Sequence, residues 1–166
     1  MVDINIANTA SDILLIEQLA DTIWREHYIP IIGLGHVEYM LDKFQSFDSM
    51  KDQIDNGYFY YTIYYNTKPV GYLSFTKEED ALFLSKIYVL KKFRGKSIGK
   101  AAMFFVEKAT VKSGLSKIVL TVNKNNIDTI KAYEKLGFVN TGSSIKDIGN
   151  GFIMDDYKMV KMIGRN

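Results

Sequence analysis

Apolar and polar residues follow one another along this chain in two rhythms, which predict a mixture of strands and helices. Over Val2–Ala7 every second residue is apolar, a period of two that indicates a strand. Ser11 or Asp12 can then cap a helix to about His27, because apolar residues recur three and four positions apart. The pattern predicts further elements after a loop at 28–35: helices His36–Phe44 and Asp48–Asn56, strands Tyr58–Tyr65, Val70–Phe75 and Ala81–Leu90, helix Ser97–Ser113, strand Lys117–Val122, helix Asp128–Leu136, and strands Phe138–Ile148 and Gly151–Met162.

In the stretch Leu84–Lys100 a predicted buried strand stops at a basic turn, and the chain restarts as a helix. Gly95 and Gly99 allow close approach of the backbone, and the helix begins at Ser97. Free N–H groups and the positive end of a helix dipole would face one point there, which favours an anion. Phosphate binding is therefore the first functional hypothesis, and a solvated helix cap is its alternative. Positive charge is concentrated at five residues: Lys91, Lys92, Arg94, Lys96 and Lys100.

The sequence of this turn differs from the two best-known phosphate loops, because neither GxxxxGK[ST] nor GxGxxG followed by an acidic residue is present. The six residues Arg94–Gly99 instead resemble the pyrophosphate loop of the GNAT superfamily of acetyl-CoA-dependent N-acetyltransferases, whose pattern is Arg/Gln-x-x-Gly-x-Gly/Ala. Ser97 stands where that family usually has its first glycine.

A second segment, Asn123–Phe138, resembles the closing motif of the same superfamily, in which an asparagine precedes a helix that carries a tyrosine and ends in Leu-Gly-Phe. Asn126 and Tyr133 are about two helical turns apart and so lie on one face. Gly137 is predicted to end this helix in a left-handed conformation. The resemblance spans about Val2–Met162. It implies an α+β fold with a mixed central sheet, the order β-α-α-β-β-β-α-β-α-β-β, and a splayed central strand pair.

The resemblance also implies which residues bind acetyl-CoA. The loop and the helix start would hold the pyrophosphate, mostly through backbone N–H groups of Arg94, Gly95, Lys96, Ser97, Ile98, Gly99 and Lys100. The backbone of Ile87, Tyr88 and Val89 would pair with the pantetheine arm. Asn126 would contact that arm, and Lys135 the phosphates. No metal site is expected, because the chain has no cysteine and its two histidines lack carboxylates at ligand spacing.

Tyr133 is the predicted general acid of acetyl transfer. A tyrosine with an ordinary pKa near 10 is protonated at neutral pH and can give a proton to a leaving thiolate. The general base is left open, because Leu84–Lys86 has no carboxylate where many relatives carry one. A water relay or a carboxylate of the turn Glu78–Asp80 could remove the amine proton. His27 is a further candidate, since the ordinary pKa of histidine suits a base.

The acceptor pocket is expected between the first two helices and the loop that joins them. The residues predicted to bind substrate carry aromatic or imidazole rings: Trp24, His27, Tyr28 and Tyr39. Aromatic faces can hold a cationic amine. The segments Thr22–Ile32 (TIWREHYIPII) and Tyr39–Phe44 (YMLDKF) are similar to bacterial polyamine-acetyltransferase-like members of the superfamily.

Length and composition are those of an ordinary globular protein. The 166 residues are predicted to form a single domain, 1–166, with 47% hydrophobic and 24% charged residues. The apolar runs are too short to span a membrane and no export signal is expected, which predicts a cytoplasmic protein without a membrane partner. A net charge of +2 is too small to favour nucleic acid. A homodimer is left open.

Two function classes remain. The leading hypothesis is an N-acetyltransferase that acts on a small-molecule amine, or on the amino group of a protein or peptide. The alternative is a non-catalytic module that binds or senses acyl-CoA. Ser97 in the loop and the missing carboxylate at 84–86 favour the alternative, whereas Asn126 and Tyr133 favour the enzyme.

Overall fold

The computed structural model describes residues 1–164, as seven strands, five α-helices and one 3-10 turn. No helix in this range is long and apolar enough to cross a membrane. The elements in chain order are β1 Val2–Ile6, α1 Ala10–Ile32, α2 Leu34–Phe44, α3 Phe47–Asp55, β2 Phe59–Tyr65, β3 Lys68–Lys77, β4 Leu82–Val89, the 3-10 turn Lys91–Phe93, α4 Ile98–Lys112, β5 Lys117–Asn123, α5 Ile127–Lys135, β6 Val139–Gly149 and β7 Phe152–Met162.

The strands form one sheet in the order β1-β2-β3-β4-β5-β7-β6. Neighbouring strands are antiparallel except β4 and β5, which are parallel. These two pair only where Leu82 faces Ile118 and Phe83 faces Val119, and beyond this point they separate. The mixed sheet and its splayed central pair confirm the α+β fold. The order differs in one respect: three helices, not two, lie between β1 and β2, because the predicted stretches at 36–44 and 48–56 both form helices.

Helices cover both faces of the sheet and so create two hydrophobic cores. On one face, α4 packs through Met103 and Val106, beside residues of α5. On the other face, α1, α2 and α3 pack through Ile23, Val37 and Met50. Burying one such side chain completely contributes roughly 1.5–3 kcal/mol. The opening between β4 and β5 therefore lies between two well-packed layers.

Helix α1 is longer than the sequence predicted at both ends. It is capped by Thr9, not by Ser11 or Asp12, and the Asp12 carboxylate completes the capping box by accepting from the Thr9 N–H. At its other end the helix continues through Pro30 to Ile32, so that the connection to α2 is reduced to Gly33. Gly33 has a φ of +87°, which glycine adopts without strain.

A β-bulge in β4 decides which side chains face helices α1, α2 and α3. Ser74 of β3 pairs with Lys86, and Phe75 pairs with Leu84, so Ser85 is the extra residue. As a result Leu84 packs with the α4 core, whereas Tyr88 packs with the α1 core. Without the bulge, the strict alternation of a strand would place both side chains on the same face.

Candidate active site

The splay of β4 from β5 opens a cleft of about 1130 Å³ between the two helical layers. Within the described residues, the β5-facing edge of Leu84–Val89 has no strand partner. The residues predicted to pair with a pantetheine arm, Ile87, Tyr88 and Val89, all line this cleft. An extended chain inserted here can therefore hydrogen-bond to the β4 backbone as an added strand would.

One end of the cleft is formed by the turn that leads into α4. In the part of the chain that the structure describes, no hydrogen bond uses the backbone N–H groups of residues 95–100. Gly95 turns the chain with a φ of +79°. Free N–H groups gathered at the start of a helix have the geometry of an anion-binding site. Five of the predicted loop residues line the cleft: Arg94, Gly95, Ser97, Ile98 and Gly99. The other two, Lys96 and Lys100, are exposed and do not line it.

A chain of hydrogen bonds joins the two sides of the cleft through His27. Arg94 Nη1 lies 3.2 Å from His27 Nδ1, and His27 Nε2 lies 3.1 Å from Asn126 Oδ1. Because a guanidinium can only donate, Nδ1 accepts, and the imidazole proton is on Nε2. Burial and the Arg94 charge lower the pKa of His27, so the ring is neutral at pH 7. Asn126 is buried and also donates to the Tyr28 hydroxyl at 3.4 Å.

An aromatic wall faces the splay from α1 and β4. The rings of Trp24 and Tyr28 stack with their centroids 4.2 Å apart, and the Tyr88 ring meets the Trp24 ring edge-on at 5.5 Å. All three residues line the cleft, and the buried Trp24 Nε1 has no hydrogen-bond partner. Burial raises the pKa of Tyr28 to about 12. The wall thus offers π-faces together with unionised hydroxyl groups.

Tyr133 reaches the cleft from α5, on the opposite side from the aromatic wall. Its ring packs beside Phe138 with centroids 5.6 Å apart. Burial raises the pKa of Tyr133 well above 10, and the nearby Tyr28 adds to this shift. Tyr133 is therefore a phenol, not a phenolate, throughout the neutral range.

A family model described as the acetyltransferase (GNAT) family matches residues 16–138, a range that contains both motifs. The chain belongs to the GNAT acetyltransferase family. It is therefore an acetyltransferase, and acetyl-CoA is its acetyl donor. No curated protein matches the chain at a significant level.

Solved structures of similar fold carry names from the same family. The PaiA N-acetyltransferase of Thermoplasma acidophilum, solved with coenzyme A, is 18% identical with a TM-score of 0.78, over 98% of this chain and 99% of that one. An N-acetyltransferase from Rhodopseudomonas palustris is 15% identical with a TM-score of 0.81, over 97% and 95%. A ribosomal-protein-alanine N-acetyltransferase from Escherichia coli is 18% identical with a TM-score of 0.71, over 100% and 96%. At these identities the likeness establishes the GNAT fold.

Other predicted site residues of this GNAT chain lie away from the cleft. The Tyr39 hydroxyl donates to Ile148 O at 2.5 Å and holds the end of β6 against α2, and Tyr39 does not line the cleft. Lys135 is exposed at the outer end of α5. The turn Glu78–Asp80 lies before β4, at the end opposite the splay, and the Asp80 carboxylate accepts from Lys117 Nζ at 3.1 Å. None of these three carboxylates lines the cleft, so their position gives the general-base hypothesis no support.

Two buried ionisable residues that the sequence did not single out also line the cleft: Lys86 and Asp156. The sequence could have indicated Asp156, because it is an acidic residue at a position of β7 that the alternating pattern turns toward the core. For Lys86 no signal existed, because the bulge at Ser85 decides which face of the sheet it occupies. No group of three His, Cys, Asp or Glu residues suited to a metal occurs in residues 1–164.

Lys86 connects β4 to the helices on the acceptor side. Its Nζ donates to Phe44 O at 2.6 Å and to Gln53 Oε1 at 3.2 Å, and it also contacts the Tyr60 hydroxyl. No carboxylate within residues 1–164 lies within 4 Å of it. Burial without a counter-charge lowers the pKa of Lys86 to about 7.

We expect Lys86 to make stability depend on pH between about 7 and 10. An unfolded lysine has a pKa near 10.4, so in this window the unfolded chain binds one more proton than the folded one. Stability should then rise with pH by up to about 1.4 kcal/mol per unit. Urea unfolding at pH 7 and pH 9 measures this rise, which should be absent in Lys86→Met and retained in Lys117→Met. An equal rise in the wild type and in Lys86→Met would contradict the assignment.

Ser97 occupies the place of a family glycine and has the backbone conformation of one. Its φ is +61°, and its side chain makes no capping hydrogen bond. We expect Ser97→Gly to raise the free energy of unfolding by about 0.5–1 kcal/mol, because the left-handed region strains a residue with a Cβ. Coenzyme A affinity should change by less than about tenfold. As a control, Ser113→Gly, where φ is −83°, should not stabilise. Destabilisation by Ser97→Gly would show that the hydroxyl, not the strain, is the larger effect.

Proposed function

We propose that the protein transfers the acetyl group of acetyl-CoA to the amino group of a small-molecule amine, with Tyr133 as the general acid. The observation that carries this proposal is the single cleft in which an unpaired strand edge, unused backbone donors and an aromatic wall meet. The non-catalytic alternative is less well supported, because a phenol and a buried carboxylate both line that cleft.

Binding of acetyl-CoA uses two parts of the backbone. The N–H groups of residues 95–100 would hold the pyrophosphate, with the positive charge of Arg94 beside them. The free edge of Leu84–Val89 would pair with the pantetheine arm. The coenzyme A in the PaiA structure agrees with this use of the fold. Arg94 at present contacts Val89 O and His27, so we expect it to exchange these partners for phosphate oxygens.

The acceptor would approach from the side of α1 and α2. Trp24 and Tyr28 offer ring faces there, and a cation–π contact contributes roughly 0.5–2 kcal/mol. A cationic amine therefore suits this wall better than an anionic partner. A peptide N-terminus is the second candidate, because the Escherichia coli structure named for ribosomal-protein alanine acetylation has the same fold over the whole chain.

Proton transfer completes the reaction. As the amine nitrogen bonds to the thioester carbon, the carbon–sulfur bond breaks and a thiolate leaves. Tyr133, still protonated, would supply the proton that converts the thiolate to free thiol. The same burial that raises the pKa of the phenol also disfavours a thiolate, so the pKa of the leaving thiol rises together with that of Tyr133.

Release of coenzyme A thiol tests the proposal. The protein would be incubated with acetyl-CoA and, separately, spermidine, glucosamine, lysine and a peptide with an N-terminal alanine, at pH 7 and pH 9. We expect turnover with at least one of the first three, and faster turnover at pH 9, because the attacking amine must be neutral. Turnover only with the peptide would replace the small-amine acceptor. Tight acetyl-CoA binding without any release would favour the sensing module.

A further inference from the structure

Three carboxylates line the cleft, and their surroundings differ: Glu26, Asp128 and Asp156. The Glu26 carboxylate already accepts the backbone N–H of Lys91 at 2.7 Å, beside the 3-10 turn. Asp128 is exposed in the first turn of α5. Asp156 is 6% exposed, so it is the buried carboxylate among the cleft residues that the structure describes. Among the three carboxylates, Asp156 is therefore placed best to act as a base inside the cleft.

Asp156 lies where β7 runs beside the open end of β5. In the sheet it is the neighbour of Asn123 on β5 and of Ser144 on β6, and both of these residues also line the cleft. No cation within residues 1–164 forms an ion pair with it, whereas the preceding residue, Asp155, pairs with Lys124 at 2.8 Å. The strand therefore presents one neutralised carboxylate outside the cleft and one unneutralised carboxylate inside it.

The charged and polar groups that face Asp156 come from every neighbouring element. Burial and, to a smaller extent, the charge of Asp155 raise the pKa of Asp156 to about 6, against the opposing effects of Thr121 and Lys124. Tyr28 faces it from α1, and Ser144 lies beside it on β6, where Lys146 also lines the cleft. A carboxylate with this pKa is mostly ionised at pH 7 yet basic enough to take a proton.

The other basic side chains of the cleft are already engaged. His27 donates to Asn126 through Nε2, and its Nδ1 lone pair faces Arg94, on the side of the turn proposed to hold the pyrophosphate. Lys86 Nζ already donates to Phe44 O and Gln53 Oε1 and contacts the Tyr60 hydroxyl. Tyr28 is electrostatically linked to both proton-handling candidates, because Asp156 raises the pKa of Tyr28 and Tyr28 raises the pKa of Tyr133.

We propose that Asp156 is the general base, the residue that receives the acceptor amine and takes its proton during acetyl transfer. The inference rests on the proposed function and adds the group that removes the proton from the amine. The neutral amine attacks the thioester carbon, and the nitrogen of the adduct loses one proton to Asp156. The carbon–sulfur bond breaks, and the sulfur takes a proton from Tyr133. Asp156 then gives up one proton and Tyr133 regains one, so the products are the amide and free thiol.

The test compares Asp156→Asn with Asp155→Asn, a matched change one residue earlier on the same strand. With the best acceptor from the panel of spermidine, glucosamine, lysine and alanine peptide, kcat/KM would be measured from pH 5 to pH 9. Protonation of the amine lowers kcat/KM in every variant as the pH falls, and in the wild type we expect a further, steeper loss, the acidic limb, below about pH 6, where Asp156 becomes protonated. Asp156→Asn should lower kcat/KM by about 10²-fold or more and abolish this acidic limb. Asp155→Asn should keep the wild-type kcat/KM and the acidic limb. The two variants should bind coenzyme A as the wild type does.

The outcomes separate this inference from the proposed function. No turnover by the wild type with any acceptor overturns both. An active wild type with an equally active Asp156→Asn variant, or a slow variant that keeps the acidic limb, overturns the role of Asp156 alone. Should Asp156→Asn fold poorly in a melting experiment, Asp156→Glu keeps the carboxylate on a longer arm. It should retain the acidic limb at reduced kcat, and a Glu variant without that limb contradicts the proposal.

Discussion

Replacing Tyr133 by phenylalanine should lower kcat by about 10²-fold or more while acetyl-CoA affinity stays within about twofold of the wild type. The change removes only the hydroxyl, and the ring can keep its packing against Phe138. The proton for the leaving thiolate would then have to come from water that enters a cleft lined by apolar side chains. Thiol release under single-turnover conditions measures the chemical step separately from product release.

The control for this variant is Tyr157→Phe. Tyr157 packs against the same hydrophobic core as Tyr133 but does not line the cleft, so its kcat should be unchanged. Wild-type single-turnover rates in Tyr133→Phe would show that this hydroxyl is not the proton donor. A large loss in both variants would instead point to damage of the shared core.

The sequence was sufficient to predict the features of the site that are formed by contiguous segments of the chain. The strand edge at Ile87–Val89 and the turn at Arg94–Gly99 are contiguous segments, so hydrophobic periodicity and glycine placement were enough to predict them. Asn126 and Tyr133 likewise belong to one helix. The fold followed from the resemblance of these motifs to the GNAT superfamily, which implies the order of the strands and helices.

Features that depend on distant pairing were not predictable. Asp156 reaches the cleft only because β7 inserts between β5 and β6, a pairing that no local pattern indicates. Tyr39 was expected in the pocket, but its hydroxyl instead donates a hydrogen bond to Ile148 O near the end of β6. Helix α1 continues through Pro30 because its last turn packs against α2, although proline usually marks a helix end.

The two residues that we propose for proton transfer lie in different regions of the sequence. Tyr133 is within the range that the family model matches, whereas Asp156 belongs to the hairpin β6–β7, beyond that range. The proposal therefore implies that removal of the amine proton depends on a part of the chain outside the family match. It would also account for a β4 that carries Lys86 and no carboxylate near its bulge.

Replacing Gly99 by valine should weaken coenzyme A binding by at least about tenfold, roughly 1.4 kcal/mol. Gly99 is in the first turn of α4, and its N–H is one of the unused donors. A Cβ built at this position meets no protein atom within 4 Å, so the branched side chain would occupy the space over the helix start. It would keep a phosphate from approaching the N–H groups.

The loss should be specific to the ligand, because valine has a helix propensity no worse than glycine and the variant should fold normally. Calorimetric titration with coenzyme A measures the affinity, and circular dichroism melting checks the fold. Gly99→Ala, with a single methyl group, should give an intermediate loss. Lys108→Val places the same side chain on an exposed turn of α4 and should bind coenzyme A normally. Unchanged affinity in a well-folded Gly99→Val variant would mean that the phosphates do not bind at the start of α4.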